Sequence, residues 1–316
     1  MTVVSSSISV VIPVYNSEDS LPLLIQRIEP ILQSLTSHYE LIFVNDGSRD
    51  NSWQRIQDLS ASYPWIAGIN LMRNYGQHNA LLCGIRAARN EIVVTMDDDL
   101  QNPPEQIPAL ITKLHDGYDV VYGTPDKEQH GFWRNRASQI SKLILQESMG
   151  AQTARKASNF RAFRKNVRSA FDHYQSAYVS IDVLLTWGTT RFTAIPVQHD
   201  TRRTGVSNYS FGKLITHAMN MMTGFSTVPL QLASLMGFAI TLFGFCVLVY
   251  VLGRYFIHGA VVPGFAFLAS IISIFAGVQM FSLGIMGEYL ARIHSRSMGR
   301  PQSVVRNVTG FLNRKD

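Results

Sequence analysis

Short, unbroken apolar runs alternate with longer stretches of helical spacing through the first part of the chain. Residues 8–14, 40–44, 66–71, 92–96 and 119–122 each read as a strand buried on both faces, because they lack the alternation of a half-exposed strand. Between them, residues 20–35, 52–61, 77–89 and 104–115 place apolar side chains on one helical face. Strands alternating with helices predict an α/β domain on a mostly parallel sheet with right-handed crossovers. Ligands of such sheets bind beyond the carboxyl ends of the strands. Tyr15-Asn16, Asn45-Asp46-Gly47-Ser48 and Asp97-Asp98-Asp99 stand there.

The pattern then changes twice. Residues 133–149 look helical, residues 159–164 are a mixed basic and aromatic stretch, and Arg202-Arg203-Thr204-Gly205 opens a polar loop. Residues 211–227 follow, with Leu214, Ile215, Ala218, Met221, Met222 and Phe225 around Lys213 and His217. That spacing suits an amphipathic helix lying on a membrane surface, and equally a Met-rich core helix. From 229 to 287 the only formally charged side chain is Arg254. Residues 230–257 and 265–286 each exceed the ~20 residues that cross a hydrocarbon core, and 258–264 is a tight reversal between them.

The expected organisation is therefore a head (1–210), an interfacial helix (211–227), a transmembrane hairpin (228–290) and a cytoplasmic tail (291–316). Arg202, Arg203 and Lys213 precede the hairpin, and Arg292, Arg296, Arg300 and Arg306 follow it. The positive-inside rule then puts the head and both termini in the cytoplasm of an integral membrane protein. Arg254, near the far end of its helix, can snorkel to the outer headgroups. Residues 1–7 lack the basic and apolar regions of a signal peptide, so the head is expected on the side of synthesis.

Composition supports this division. Of 316 residues 46% are hydrophobic and only 16% charged, against about a quarter charged in soluble chains. Disorder and a wholly water-soluble protein are both excluded. The net charge of +6 comes with no basic run interleaved with aromatics, no zinc spacing and no DNA-reading helix, so nucleic acid is not an expected partner. Membrane lipid is. Cys83 and Cys246 lie in different regions, which disfavours a disulfide, excludes a cysteine metal cluster and points to a reducing compartment.

Three segments carry candidate chemistry. On a strand continued through the acidic triplet, Asp97 and Asp99 would share one face and Asp98 the other. Like charges so placed repel unless a cation sits between them, and hard oxygen ligands suit Mg²⁺ or Mn²⁺ completed by water and a diphosphate. A solvated acidic turn ahead of the helix near Pro103-Pro104 is the other reading. In Asn45 to Ser52, Gly47 permits a positive φ, Asp50 or Ser52 can cap the next helix, and Asp46 could accept hydrogen bonds from a base or ribose. In Val11 to Glu18, Pro13 removes a ladder donor, which predicts that the strand ends or bulges there. Tyr15 can stack on a base or pack on the sheet edge.

Taken together, VIPVYNSE (11–18), FVNDGSRDNS (43–52), RNYGQHNAL (73–81), MDDDLQNPPE (96–105), SNFRAFRK (158–165), RRTGVSNY (202–209) and GEYLARI (287–293) resemble the family 2 inverting glycosyltransferases of the GT-A fold. Within them the chain is similar to the polyisoprenyl-phosphate glycosyltransferases, which include bactoprenol glucosyltransferases and dolichol-phosphate mannose synthase. The resemblance implies a GT-A head, Rossmann-like with a mostly parallel sheet, on a two-helix hairpin. It implies that Pro13, Tyr15, Asn16, Glu18 and Asp46 hold the nucleoside, that Asp97 and Asp98 approach the ribose and diphosphate, and that Asp99 with Gln101 coordinates the metal, with Asp97 a further candidate ligand.

The family's acceptor is a lipid phosphate, already an anion, for which a dedicated base is unnecessary. Arg134, Arg136, Arg161, Arg202 and Arg203 are the candidate cations for it, since arginine binds phosphate bidentately. A solvated surface arginine is the alternative for each, least so for Arg161 between Phe160 and Phe163. Asp182 stands where related enzymes with neutral acceptors keep a base. The chain departs from the family at Ser158-Asn159, where Gly-Asp is common, at Pro125 and Lys127, where an Arg often stands, and at Asn208, usually a Lys.

Two rivals are weaker. A processive polysaccharide synthase would carry Gln/Arg-x-x-Arg-Trp, a context that none of Trp53, Trp65, Trp133 and Trp187 has, and two helices cannot enclose a polymer. A non-catalytic membrane scaffold with a degenerate nucleotide-binding head would be expected to lack Asp99 or the arginine loop, and both are present. The expected activity is transfer of one hexose, glucose from UDP-glucose, to undecaprenyl or another polyprenyl phosphate, with GDP-mannose or a modified sugar as alternative donors. That chemistry belongs to cell-envelope glycosylation. Gly237, Gly244, Gly277, Gly284 and Gly287 permit close helix contacts, and a homo-oligomer is expected.

Overall fold

The computed structural model describes residues 6–125, 156–176, 179–198, 228–258 and 264–313. The five expected strands form as β1 (Ile8–Val14), β2 (Tyr39–Asn45), β3 (Ile66–Leu71), β4 (Ile92–Thr95) and β5 (Val120–Pro125). Every residue of β1, β3 and β4 is buried, because helices cover both faces of an apolar run. The helices are α1 (Ser20–Leu35), α2 (Ser52–Ser62), α3 (Gln77–Ala87) and α4 (Ile107–His115). In α1, Leu21, Leu24, Ile25, Ile28, Leu32 and Leu35 are buried, a stripe at the three-to-four spacing that its sequence shows.

Three more strands and a short helix complete the head: β6 (Arg161–Arg164), α5 (Ile181–Gly188), β7 (Phe192–Val197) and β8 (Val305–Gly310). The sheet order is β7-β5-β6-β4-β1-β2-β3-β8. Pairings β1–β2, β1–β4, β2–β3 and β5–β7 are parallel, whereas β6 runs antiparallel between β4 and β5. The mixed stretch at 159–164 is thus a central strand. Its arginines hide the apolar run that would have revealed it.

Two expectations are corrected. Pro13 neither ends nor bulges β1: it pairs in register with Val44, and Val14 with Asn45. The carbonyl of Val14 faces β2 and that of Val11 faces β4, so alternation turns the missing N–H of Pro13 toward β4. That pairing has already stopped at Val11↔Thr95, and no ladder bond is lost. The second correction concerns 291–316, which is not a separate tail. The second apolar helix runs on to Ser297, and β8 joins the head antiparallel to β3, from Ala67↔Gly310 to Leu71↔Val305.

The other unit, residues 215–298, contains α6 (Val228–His258) and α7 (Phe265–Ser297). Windows of mean hydropathy 2.5 over Val228–Arg254 and 1.3 over Ile274–His294 are long and apolar enough to cross a membrane. Phe238, Phe243, Phe256, Ile272 and Phe281 are exposed on them, which fits lipid rather than water as their surroundings. Gly244 lets the Phe275 ring approach its Cα, a small-residue contact of the kind that packs membrane helices. The helices expected at 133–149 and 211–227 lie outside the described residues.

Candidate active site

The carboxyl ends of β1, β2 and β4 bring the three candidate segments together. Their loops are stitched to one another. The Asn16 N–H donates to Ser48 Oγ (3.0 Å) and Asn16 Oδ1 accepts the Arg49 N–H (2.8 Å). The Glu18 N–H donates to Asp50 Oδ2 (3.2 Å), and Glu18 Oε2 accepts the Asn51 N–H (2.8 Å). Asn16 and Glu18, which the resemblance would set on the nucleoside, therefore hold the β2–α2 loop in place. Tyr15 is different: the residue is 45% exposed at the mouth of the sheet, available for stacking.

Asp46 also has a job within the protein. It is buried, and its two carboxylate oxygens accept the N–H groups of Tyr75 (2.7 Å) and Gly76 (2.8 Å). Burial pushes its carboxyl above the ordinary value, although these N–H groups and Arg73 oppose the shift. The next residue, Gly47, has φ +67°, and a Cβ there would lie 2.5 Å from the Asn74 nitrogen. Replacing Gly47 by Ala should therefore cost about 2 kcal/mol or more and displace the 73–77 loop. A thermal melt of the variant should show the loss, with a raised donor KM; an unshifted melting temperature would refute the argument.

Strand β4 ends at Thr95, so the pleat does not set the directions of the acidic triplet as the alternation argument assumed. Partners set them instead. Asp97 Oδ1 accepts Gln77 Nε2 (2.5 Å) and its Oδ2 accepts Asn159 Nδ2 (3.2 Å). Asp98 Oδ2 accepts the Tyr15 N–H (3.4 Å). Desolvation, helped by the charges of Asp97 and Asp99, pushes the Asp98 carboxyl up to about 6 against hydrogen bonds from Ser17 and Tyr15. Asp99 Oδ1 accepts the Gln101 N–H (3.1 Å), closing a turn around Leu100. Leu100 sits in the left-handed region at φ 61°, a strained conformation for a γ-branched residue.

Among the described residues, no three His, Cys, Asp or Glu side chains converge into a ready-made metal cage. The triplet fits a cation of the Mg²⁺ type all the same, since such an ion takes one or two carboxylates and leaves its remaining positions to water and diphosphate.

Arg161 departs from its expected role. Its guanidinium is fully buried and is paired through Nη1 with Asp182 Oδ1. Its Nη2 donates to Asn159 Oδ1 (3.3 Å), and its charge lies 5.8 Å from the centre of the Tyr122 ring. A cation so enclosed does not present a fork to an acceptor phosphate. Asp182 Oδ1 also accepts the Tyr122 hydroxyl (3.0 Å), and burial raises the Tyr122 pKa well above the ordinary phenol value, so the ring stays a donor. Arg134, Arg136, Arg202 and Arg203 lie outside the described residues.

Gln77 and Asn159 also stand at the site, on the two oxygens of Asp97, and neither residue type by itself signals chemistry in the sequence. Gln77 opens α3 and Asn159 precedes β6 by two positions. The available signal was position, since both flank elements whose ends meet at the mouth of the sheet.

An acidic triplet and an exposed tyrosine at strand ends, on a mixed sheet with one antiparallel strand inserted, define the head as a GT-A glycosyltransferase. The chain belongs to glycosyl transferase family 2, whose model matches residues 9–174. It is similar to the undecaprenyl-phosphate 4-deoxy-4-formamido-L-arabinose transferase of Shewanella sediminis (strain HAW-EB3), with 38% identity over 308 residues, 95% of this chain and 92% of that one. Among solved structures it resembles glucosyl-3-phosphoglycerate synthase from Mycobacterium tuberculosis in complex with Mn²⁺, UDP-glucose and phosphoglyceric acid. There the TM-score is 0.51 at 18% identity, covering 69% of this chain and 78% of that one. The same synthase with Mn²⁺, UDP and glucosyl-3-phosphoglycerate gives 0.51 at 19%. At such identities the likeness is one of fold.

Proposed function

We propose that the protein transfers a single sugar from a nucleoside-diphosphate sugar to undecaprenyl or another polyprenyl phosphate, with inversion and with a divalent cation, Mg²⁺ or Mn²⁺. The observation that carries this reading is the gathering of Tyr15, Asp46 and the Asp97–Asp99 triplet at one end of the sheet, in a chain that continues into two apolar helices. The 38% relative, named for an undecaprenyl-phosphate acceptor and matched along nearly the whole chain, supports the lipid side. The Mn²⁺ in the complexes of the structural neighbours supports the cation.

In this reading Asp99, with Asp97 or Gln101, would hold the cation, which would neutralise charge building on the departing diphosphate. Tyr15 stacks on the base, and the 73–77 loop, anchored by Asp46, closes the nucleotide side. An acceptor phosphate oxygen forms the bond to the anomeric carbon as the bond to the diphosphate breaks, and the nucleoside diphosphate leaves. The attacking oxygen is already anionic, so positioning does most of the work. Arg134, Arg136, Arg202 and Arg203 are the proposed cations for that phosphate.

Connectivity supports the membrane arrangement. The head contributes β7 before the hairpin and β8 after it to one sheet, so a membrane-inserted α6–α7 pair must return to the side it left. With the arginines on both flanks, that side is read as the cytoplasm. Gly237, Gly277, Gly284 and Gly287 have open space where a Cβ would stand, room for the helices of a second copy to approach closely. The homo-oligomer this favours would be tested by crosslinking in detergent.

The donor has two readings. UDP-glucose follows from the resemblance to bactoprenol glucosyltransferases, and a nucleotide-linked 4-deoxy-4-formamido-L-arabinose follows from the printed name of the 38% relative. Purified protein should be offered polyprenyl phosphate with UDP-glucose, GDP-mannose and the modified arabinose donor in turn. One donor should yield a lipid-linked monosaccharide that EDTA abolishes. Glycosylation of none of the lipid phosphates, or EDTA-resistant turnover, would sink the reading.

A further inference from the structure

We propose that Asp182 is a positioning residue rather than a base, and that it acts on the donor site through Arg161 and Asn159. The inference rests on reading the acidic triplet as the cation and diphosphate site. A continuous chain of side-chain bonds connects the two places. Tyr122 and Arg161 both donate to Asp182 Oδ1, Arg161 Nη2 donates to Asn159 Oδ1 (3.3 Å), and Asn159 Nδ2 donates to Asp97 Oδ2 (3.2 Å).

Each link leaves the next with one orientation. With its Oδ1 taken by a guanidinium, the Asn159 amide must turn its N–H₂ toward Asp97. The Asn159 backbone is pinned as well, because Thr95 Oγ1, on the last residue of β4, donates to its carbonyl (2.9 Å). From the other side Gln77 Nε2 donates to Asp97 Oδ1 (2.5 Å). Two neutral carboxamides thus grip Asp97, one on each oxygen, and fix the plane of its carboxylate without adding charge.

The burial of Arg161 is hard to explain as stabilisation. Its Nε is buried without a hydrogen-bond partner, and buried ion pairs contribute little net stability because both charges lose their water. A relay that orients Asp97 gives the pair a function. It also removes the need for Asp182 as a base, since the proposed acceptor is an anion. The Ser158-Asn159 departure then has a meaning too: an aspartate at 159 would offer Asp97 a second carboxylate, whereas Asn159 offers it a donor.

The test compares Asn159→Ala, Asp182→Asn and the double variant with the unaltered full chain in detergent. Three quantities are read: the Mn²⁺ dissociation constant in the presence of UDP, from the spin-resonance signal of free Mn²⁺; donor KM against kcat; and the pH dependence of kcat/KM. Both single variants should weaken Mn²⁺–UDP binding 10- to 100-fold, the usual effect of losing a group that orients a metal-site carboxylate. The acid limb of the pH profile should remain, and the double variant should be no weaker than the worse single one.

If Asp182→Asn instead lowers kcat, abolishes the acid limb and leaves Mn²⁺–UDP affinity within twofold, Asp182 is a base and the proposal fails. Asp182→Asn strands a buried guanidinium and can fail to fold; Asn159→Ala leaves the ion pair intact and then decides alone, unchanged affinity overturning the relay. Intact Mn²⁺–UDP binding by unaltered protein that glycosylates no polyprenyl phosphate would count against the acceptor reading alone.

Discussion

Replacing Asp99 by Ala should lower transfer of labelled sugar to polyprenyl phosphate by about a thousandfold or more, roughly 4 kcal/mol of lost transition-state stabilisation. The head should still fold. Asp99 lies in a turn beyond β4, half-buried, and accepts the Gln101 N–H, a bond that contributes only about 1 kcal/mol net. Its value in this reading is electrostatic: a carboxylate binds the cation that neutralises the departing diphosphate, and an alanine cannot. Asp99→Asn should be nearly as poor, because an amide keeps the shape without the charge. The residual turnover of either variant should no longer respond to EDTA. Retention of more than a tenth of the activity would remove Asp99 from the metal site.

Ending the chain after Gly299 should strongly destabilise the head although every residue of the triplet remains. Strand β8 covers the outer edge of β3 along its length, and its Thr309 hydroxyl bonds Ser60 Oγ of α2 (2.8 Å). Gly310, at φ +71°, turns the chain so close to the Ile66 carbonyl that a Cβ would lie 2.2 Å from its oxygen. Ahead of the strand, buried Gln302 donates to the carbonyls of Tyr174 (2.8 Å) and Ser176 (3.0 Å) and accepts Arg86 Nη1 (2.7 Å).

Losing β8 opens a sheet edge, and losing Gln302 takes the partner of Arg86 Nη1. That guanidinium keeps only its Nη2 bond to the Tyr174 carbonyl (2.6 Å) and a longer one to Phe171 (3.4 Å), with Nε already buried without a partner. The summed cost, about 4 kcal/mol or more from unmet polar groups and lost pairing, is a large share of the roughly 5–15 kcal/mol that holds a domain folded. Limited proteolysis of the detergent-solubilised truncation should cut within the head where the full chain resists. Equal resistance and equal melting curves would show that β8 is dispensable.

The comparison between sequence and structure turns on the reach of each signal. Strands β1 and β3 and helix α1 have the expected boundaries, since each carries its own apolar run or stripe. Strands β6 and β8 were not legible: β6 begins and ends in arginine, and β8 is an exposed, polar edge. At the site, the acidic triplet and Tyr15 were recognisable because they follow strands directly. The actual partners of Asn16, Glu18 and Asp46 were not, because each bonds the backbone of a loop about 30 residues away. Arg161 misled for a related reason. Neighbouring phenylalanines correctly signalled burial, but the carboxylate that neutralises it is 21 residues on.

Apolar periodicity is a local property, so the chain alone determined an alternating α/β head, its first five strands, a pair of spanning-length helices and the chemical character of the strand ends. Pairings across long separations are decided only when the chain closes on itself, because hydrogen-bond satisfaction in a buried sheet is a global condition. That condition made Pro13 harmless, drew the segment after the hairpin back as an edge strand, and buried Arg161 against Asp182 and Asn159, the latter bonded in turn to Asp97 of the acidic triplet.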